Sequence, residues 1–174
     1  MPSNSVIKCC QTLAAKKLTI SFAESASTGR LIYEFTSVPH CGSINTGSIV
    51  CYDRSVKENL LQIPSEVIDR HSAESEEVTK LMALSLQKLI PADISVAVTG
   101  LASEGGSETP EKPVGTMFIH AIIMGEHLAI RRKFDGNPDE IIKQCIDEIA
   151  EIVLEKISIP GETSLEASKT TSEK

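Results

Sequence analysis

The chain has 174 residues, 41% of them hydrophobic, enough for one well-buried domain and too few for two ordinary ones. Its 24 acidic residues outnumber 17 basic ones, and the net charge of −7 argues against a sequence-independent nucleic-acid binder, which needs a basic surface to displace counterions from phosphates. Aromatic residues are only 3%, with no Trp, so stacking floors for bases or sugars are disfavoured too and a small polar ligand is the class left.

Cys9, Cys10, Cys41, Cys51 and Cys145 form no C-x-x-C and no zinc-ribbon spacing. Their odd number and scatter suit a reducing cytosol better than a disulfide scaffold. The start, "MPSNSVIKCCQTLAAKK", has no cleavable apolar core, and no segment nears the roughly 18 apolar residues of a membrane span. The expectation is a cytoplasmic protein with no membrane and no nucleic acid among its partners.

In chain order, residues 5–17 place Val6, Ile7, Cys10, Leu13 and Ala14 at helical spacing. "LTISFAES" follows as a β-type run. Residues 25–36 read as a second helix, with Ser25 or Ser27 as N-cap and Leu31, Ile32 and Phe35 inward. A strand running straight into a helix start is a natural place for function, because the first amides there lack intrahelical partners and face an anion or oxyanion. "GSIVCY" (47–52) is the next strand, and "DRSVKENLLQI" a short helix carrying Lys57. A Pro64-initiated turn and an amphipathic helix over roughly 75–90 come next, Ser75, Glu76 and Glu77 marking its start. "ADISVAVTG" is a buried strand, and "VGTMFIHAIIMGEHLAIRRKF" two strands joined around Gly125, an antiparallel hairpin. Pro138, Ile141, Ile142, Cys145, Ile149, Ile152 and Val153 mark a closing helix to about residue 157. Residues 158–174 are polar and expected to be disordered.

This pattern predicts a three-layer α/β/α sandwich with a mixed sheet that includes the C-terminal antiparallel hairpin. Ligands of such sheets sit beyond the carboxyl ends of the strands. The segments around Ser25, Tyr52 and Thr99 all lie at or just after strand ends, so one crevice could gather them.

No P-loop, H-E-x-x-H, G-x-S-x-G or metal triad is present, and no cofactor or metal is expected. Hydroxyls and a lysine remain for chemistry. Ser25 could be a nucleophile, Lys57 a base if burial lowers its pKa, and Tyr52 a proton relay, a variation on Ser–Lys acyl transfer. The ordinary roles of such residues, a helix-capping serine and a solvated lysine, stay open at this point. His40, His71, His120 and His127 lack ligand spacing, and Cys41 and Cys51 read as small packed hydrophobes. Arg131, Arg132 and Lys133 suit either a phosphate or a basic edge that limits strand pairing.

"FAES" before Gly29, "TSVP", "GSIVCY" with Lys57, "SEEV", "AVTGLA" and above all "GGSETPEKPVGT" resemble, together over residues 5–157, the C-terminal domain of the competence- and damage-inducible CinA proteins, which also occurs alone as nicotinamide mononucleotide deamidase. The resemblance implies hydrolysis of the carboxamide of nicotinamide mononucleotide to nicotinate mononucleotide and ammonia, the same sandwich fold, and a homo-oligomer. It places the catalytic positions on Ser25, Tyr52, Lys57 and Thr99. Substrate binding falls on Ser27, Thr28, Gly29, Arg30 and Gly100, and on the 98–116 loop, where Gly105, Gly106 and Thr109 would close over the nucleotide with Lys112 nearby.

The chain departs from the family pattern at definite points. Ala26 stands for the Cys of A-E-S-C-T-G-G and Thr28 for its first Gly, with Arg30 where an apolar residue is usual. Ser103 and Glu104 replace a Gly-Pro, and a carboxylate beside a phosphate costs binding. Pro138 and Ile142 stand where the family has two arginines, the natural bidentate partners of a phosphate. Arg30 could compensate. Two alternatives therefore remain beside the deamidase: a non-catalytic binding or regulatory module, and an amidohydrolase retuned to an unphosphorylated substrate.

Overall fold

The computed structural model describes residues 1–158. The expected tail, apart from Ser158 at a helix end, lies outside the described residues. Five strands, β1 (Ile20–Glu24), β2 (Asn45–Val50), β3 (Ile94–Gly100), β4 (Thr116–Ile123) and β5 (Glu126–Lys133), form one sheet in the order β2-β1-β3-β4-β5. β1 is parallel to both its neighbours, whereas β3, β4 and β5 pair antiparallel. The helices are α1 (Asn4–Lys16), α2 (Arg30–Thr36), α3 (Arg54–Asn59), α4 (Ser65–His71), α5 (Glu76–Leu89) and α6 (Pro138–Ser158). None of them is long and apolar enough to cross a membrane.

The pleat divides the apolar residues unequally between two layers. On one face Ile20, Phe22, Ile94, Val96, Val98, Met117 and Ile119 pack under Val6 and Leu13 of α1, Leu31 and Phe35 of α2, and Ile149 and Val153 of α6. Phe22 and Phe35 meet edge to face at 5.0 Å, a pair worth about 1 kcal/mol beyond its buried area. The other face carries Ser21 and Ala23 on β1 and Ser95, Ala97 and Thr99 on β3, all fully buried. Val78, Met82 and Leu86 of α5 and Leu61, Ile63 and Ile68 cover it. The expected three-layer sandwich is therefore observed, with helices on both faces.

Two tight turns set the C-terminal half. Met124 (φ 48°) and Gly125 (φ 89°) both take left-handed backbone in the β4–β5 connection, the two-residue form whose twist matches antiparallel strands. At the other end, the Leu101 amide donates to the Thr116 carbonyl (3.0 Å) and the Gly115 amide to the Leu101 carbonyl (2.7 Å). Gly100 must be glycine there, because an added Cβ would lie 2.7 Å from the Thr116 carbonyl oxygen and collide with the Met117 sulfur. The long 98–116 segment is thus clasped at its base, and only its middle is free of the sheet.

Candidate active site

β1 and β3 lie side by side and parallel, and the chain leaves them toward opposite sides, to β2 and to β4. A crevice at such strand ends is where α/β sheets place ligands. The ladder continues one residue past β1: the Ser25 amide donates to the Val98 carbonyl at 3.0 Å, while the Cys51 amide donates to the Glu24 carbonyl at 2.7 Å. The Glu24–Ser25 peptide is held from both sides, which sets Ser25 next to Thr99 on the face of small residues.

The chain then turns back. Asp53 caps α3, accepting from the Ser55 amide at 2.8 Å, and four residues on Lys57 points inward. It is 1% exposed and Ser25 7%. The Lys57 amine lies 3.1 Å from Ser25 Oγ, 2.6 Å from the Cys51 carbonyl and 3.2 Å from the Tyr52 carbonyl. Burial pushes its pKa below the ordinary lysine value. A neutral amine has two N–H bonds and one lone pair. In that form two hydrogens would go to the two carbonyls and the lone pair would be left for the Ser25 hydroxyl proton, the arrangement a general base needs.

The CinA C-terminal domain family model matches residues 4–157. The chain belongs to that family. Among its sequence relatives are a CinA-like protein of Petrotoga mobilis, 39% identical over 128 residues, and one of Thermotoga maritima, 37% identical over 129. The matches cover 73% and 74% of this chain but 31% of each relative, so the chain spans about a third of the length of these curated proteins. A CinA superfamily protein from Klebsiella pneumoniae superposes with a TM-score of 0.83 at 25% identity, over 88% of this chain and 96% of that one. A competence/damage-inducible protein from Agrobacterium tumefaciens gives 0.82 at 23% identity, over 91% and 98%, a likeness of fold alone.

This CinA domain brings some expected site residues together and holds others elsewhere. Ser25 and Lys57 are in direct contact. Thr99, fully buried, has its hydroxyl 2.7 Å from that of Thr79 on α5, which itself donates to the Ser75 carbonyl. Tyr52 joins through its carbonyl only; the residue is 72% exposed and the phenol makes no hydrogen bond among the described residues. β2 ends at Val50, so Tyr52 lies beyond the strand on which the sequence reading placed it.

The helix expected over 25–36 begins only at Arg30, and neither Ser25 nor Ser27 caps it. Thr28 (φ 49°) and Gly29 (φ 93°) are left-handed, which a helix cannot continue through. The Glu24 carboxylate takes the role of the cap, accepting from the amides of Gly29 (2.9 Å), Leu31 (3.0 Å) and Ile32 (3.1 Å) and from the Ser27 and Ser48 hydroxyls at 2.7 and 2.8 Å. Sequence reasoning missed Glu24. Its signal was an acid inside "LTISFAES", a segment read only as a β-type run.

Arg30 is engaged as well, with Glu34 on its own helix (3.4 Å) and with Asp139 in the first turn of α6. In the 98–116 loop, Gly105 donates to the Glu108 carboxylate at 2.8 Å, and Thr109 and Lys112 bridge each other. The Lys112 amine donates to Ser72 Oγ (2.6 Å), Ser107 Oγ (2.8 Å) and the Glu74 carbonyl (3.0 Å), and Ser107 donates to the Glu74 carboxylate. Lys112, Thr109, Gly105 and Gly106 do line one open groove of about 770 Å³, together with Arg70 and Glu74. The five cysteines are free and buried. Burial raises the Cys51 thiol to about 11 despite the nearby Lys57, which keeps it protonated and weakly nucleophilic.

Proposed function

We propose that this CinA domain is an amidohydrolase that converts nicotinamide mononucleotide to nicotinate mononucleotide and ammonia. The observation that carries the reading is the buried Lys57 amine 3.1 Å from Ser25 Oγ, its other partners being two carbonyls. Ser25 Oγ attacks the carboxamide carbon as Lys57 takes the hydroxyl proton, and the oxyanion is received by backbone amides of the turn after Ser25. The C–N bond breaks, Lys57 returns the proton to the leaving nitrogen, and ammonia departs. Water then attacks the ester with Lys57 again as base, releasing the carboxylate and Ser25. No metal or redox partner enters the balance.

A second reading concerns the substrate's phosphate. Arg30, the candidate replacement for the family's two arginines, is already neutralised by Asp139 and Glu34, and Pro138 and Ile142 offer no charge. This supports, as the alternative substrate, the unphosphorylated nicotinamide riboside. Ammonia release by purified protein from the mononucleotide, the riboside and free nicotinamide in parallel separates the two. Turnover of the mononucleotide supports the first reading and turnover of the riboside alone the second. Silence with all three, from folded protein, overturns both in favour of a binding module.

A further inference from the structure

We infer that Glu24 is a positioning residue for the proposed reaction, its buried carboxylate holding the turn from Ser25 to Gly29 so that the Ala26 and Ser27 amides stay free for the oxyanion. The inference rests on the reading of Ser25 and Lys57 as an acyl-transfer pair.

Glu24 is 0% exposed, and among the described residues no lysine, arginine or histidine forms an ion pair with it. A bare carboxylate in such a place is costly unless hydrogen bonds compensate it. Five donors do so, and their origin is the informative point. Ser27 Oγ, Gly29 N and Leu31 N converge on one oxygen, Ile32 N and Ser48 Oγ on the other. They come from the turn, the start of α2 and the neighbouring strand β2. The carboxylate is the hub on which all three segments are hung, one residue before the nucleophile.

Two consequences follow for the reaction. The first amides of α2, which an incoming anion would otherwise meet, are already taken by the protein's own charge. The amides of Ala26 and Ser27 make no hydrogen bond among the described residues, although Ser27 is 2% exposed. Amides left without a protein partner directly after the nucleophile are what a site that must stabilise a transient oxyanion requires. A residue that only filled the core would have no need of charge here.

The test uses Glu24→Gln, which keeps the volume but turns an NH₂ group toward two or three existing donors, and Ser48→Ala, which removes a donor outside the turn. For Glu24→Gln the expected result is a fall in kcat of about 100-fold or more, the scale of a lost oxyanion donor, with KM within about threefold of wild type. Ser48→Ala is expected to lower kcat about fivefold at unchanged KM. In ¹H–¹⁵N spectra the Ala26 and Ser27 cross-peaks shift in Glu24→Gln while those of α6 stay in place. A folded Glu24→Gln protein with kcat within about threefold of wild type overturns the inference, as does a loss carried wholly by KM. If Glu24→Gln does not fold, Ser48→Ala decides by the same split. Wild type silent on every amide removes the reaction itself. The cross-peaks then decide alone, and unmoved Ala26 and Ser27 signals dismiss Glu24 as the holder of the turn.

Discussion

The two faces of the sheet are built from the same strands and are nothing alike. Under α1, α2 and α6 the strands present Ile20, Phe22, Val96, Val98 and Met117, and the layer is held by apolar bulk. Under α3 to α5 the same strands present Ser21, Ala23, Ser25, Ser95, Ala97 and Thr99. Small side chains let a helix come close, and hydroxyls then find partners at short range, such as Thr79 with Thr99 and Lys57 with Ser25. Polar chemistry in a buried place needs a polar, close-packed wall. One face is held chiefly by apolar bulk, and the other carries the Ser25–Lys57 and Thr79–Thr99 contacts.

The contrast can be broken from either side. The largest expected effect is on reactivity: Ser25→Ala, or Lys57→Ala, lowers kcat by about 10⁴-fold or more, read by ammonia release, while the melting temperature moves little. Phe22→Ala on the opposite face should do the reverse, costing about 3–5 kcal/mol in denaturant unfolding with kcat per folded molecule unchanged. Thr79→Val sharpens the comparison, because it leaves the buried Thr99 hydroxyl without its partner on the reactive face. A loss of about 1–3 kcal/mol is expected by the same unfolding measurement.

The smallest effect concerns His120, also on the polar face, whose pKa burial, together with His127 and Lys80, pushes down to about 4. Between that value and the ordinary histidine value of about 6.5 the unfolded chain binds more protons than the folded one. Stability is therefore present above that window and lost as pH falls through it. His120→Leu should flatten this part of a melting temperature–pH curve.

Much of this was legible in the sequence. The apolar run in "ADISVAVTG" and the paired β-runs around Gly125 predict β3, β4 and β5, and Ser75 with its two glutamates predicts the start of α5. Lys57 could be singled out because a lysine in a short helix after a strand end is within reach of Ser25. The helix start after Ser25 was misplaced because capping rules count Ser and Thr as caps, whereas here an acid from the preceding strand reaches over the turn. Periodicity does not see that far. The fates of Arg30 and Lys112 were equally hidden, since their partners, Asp139 and Ser72, lie 109 and 40 residues away in the chain.

The buried thiols carry one more consequence. Cys9, Cys10, Cys41 and Cys145 lie in the apolar layer and Cys51 in the layer of Lys57. Burial lifts Cys10 to about 12 and Cys51 to about 11, so in the closed protein an alkylating reagent finds almost no thiolate to attack. Labelling must wait for the chain to open. The molecule therefore contains two sets of stopwatches, one on each side of its sheet, and mass spectrometry of the alkylated peptides can time how often each half breathes without altering a residue.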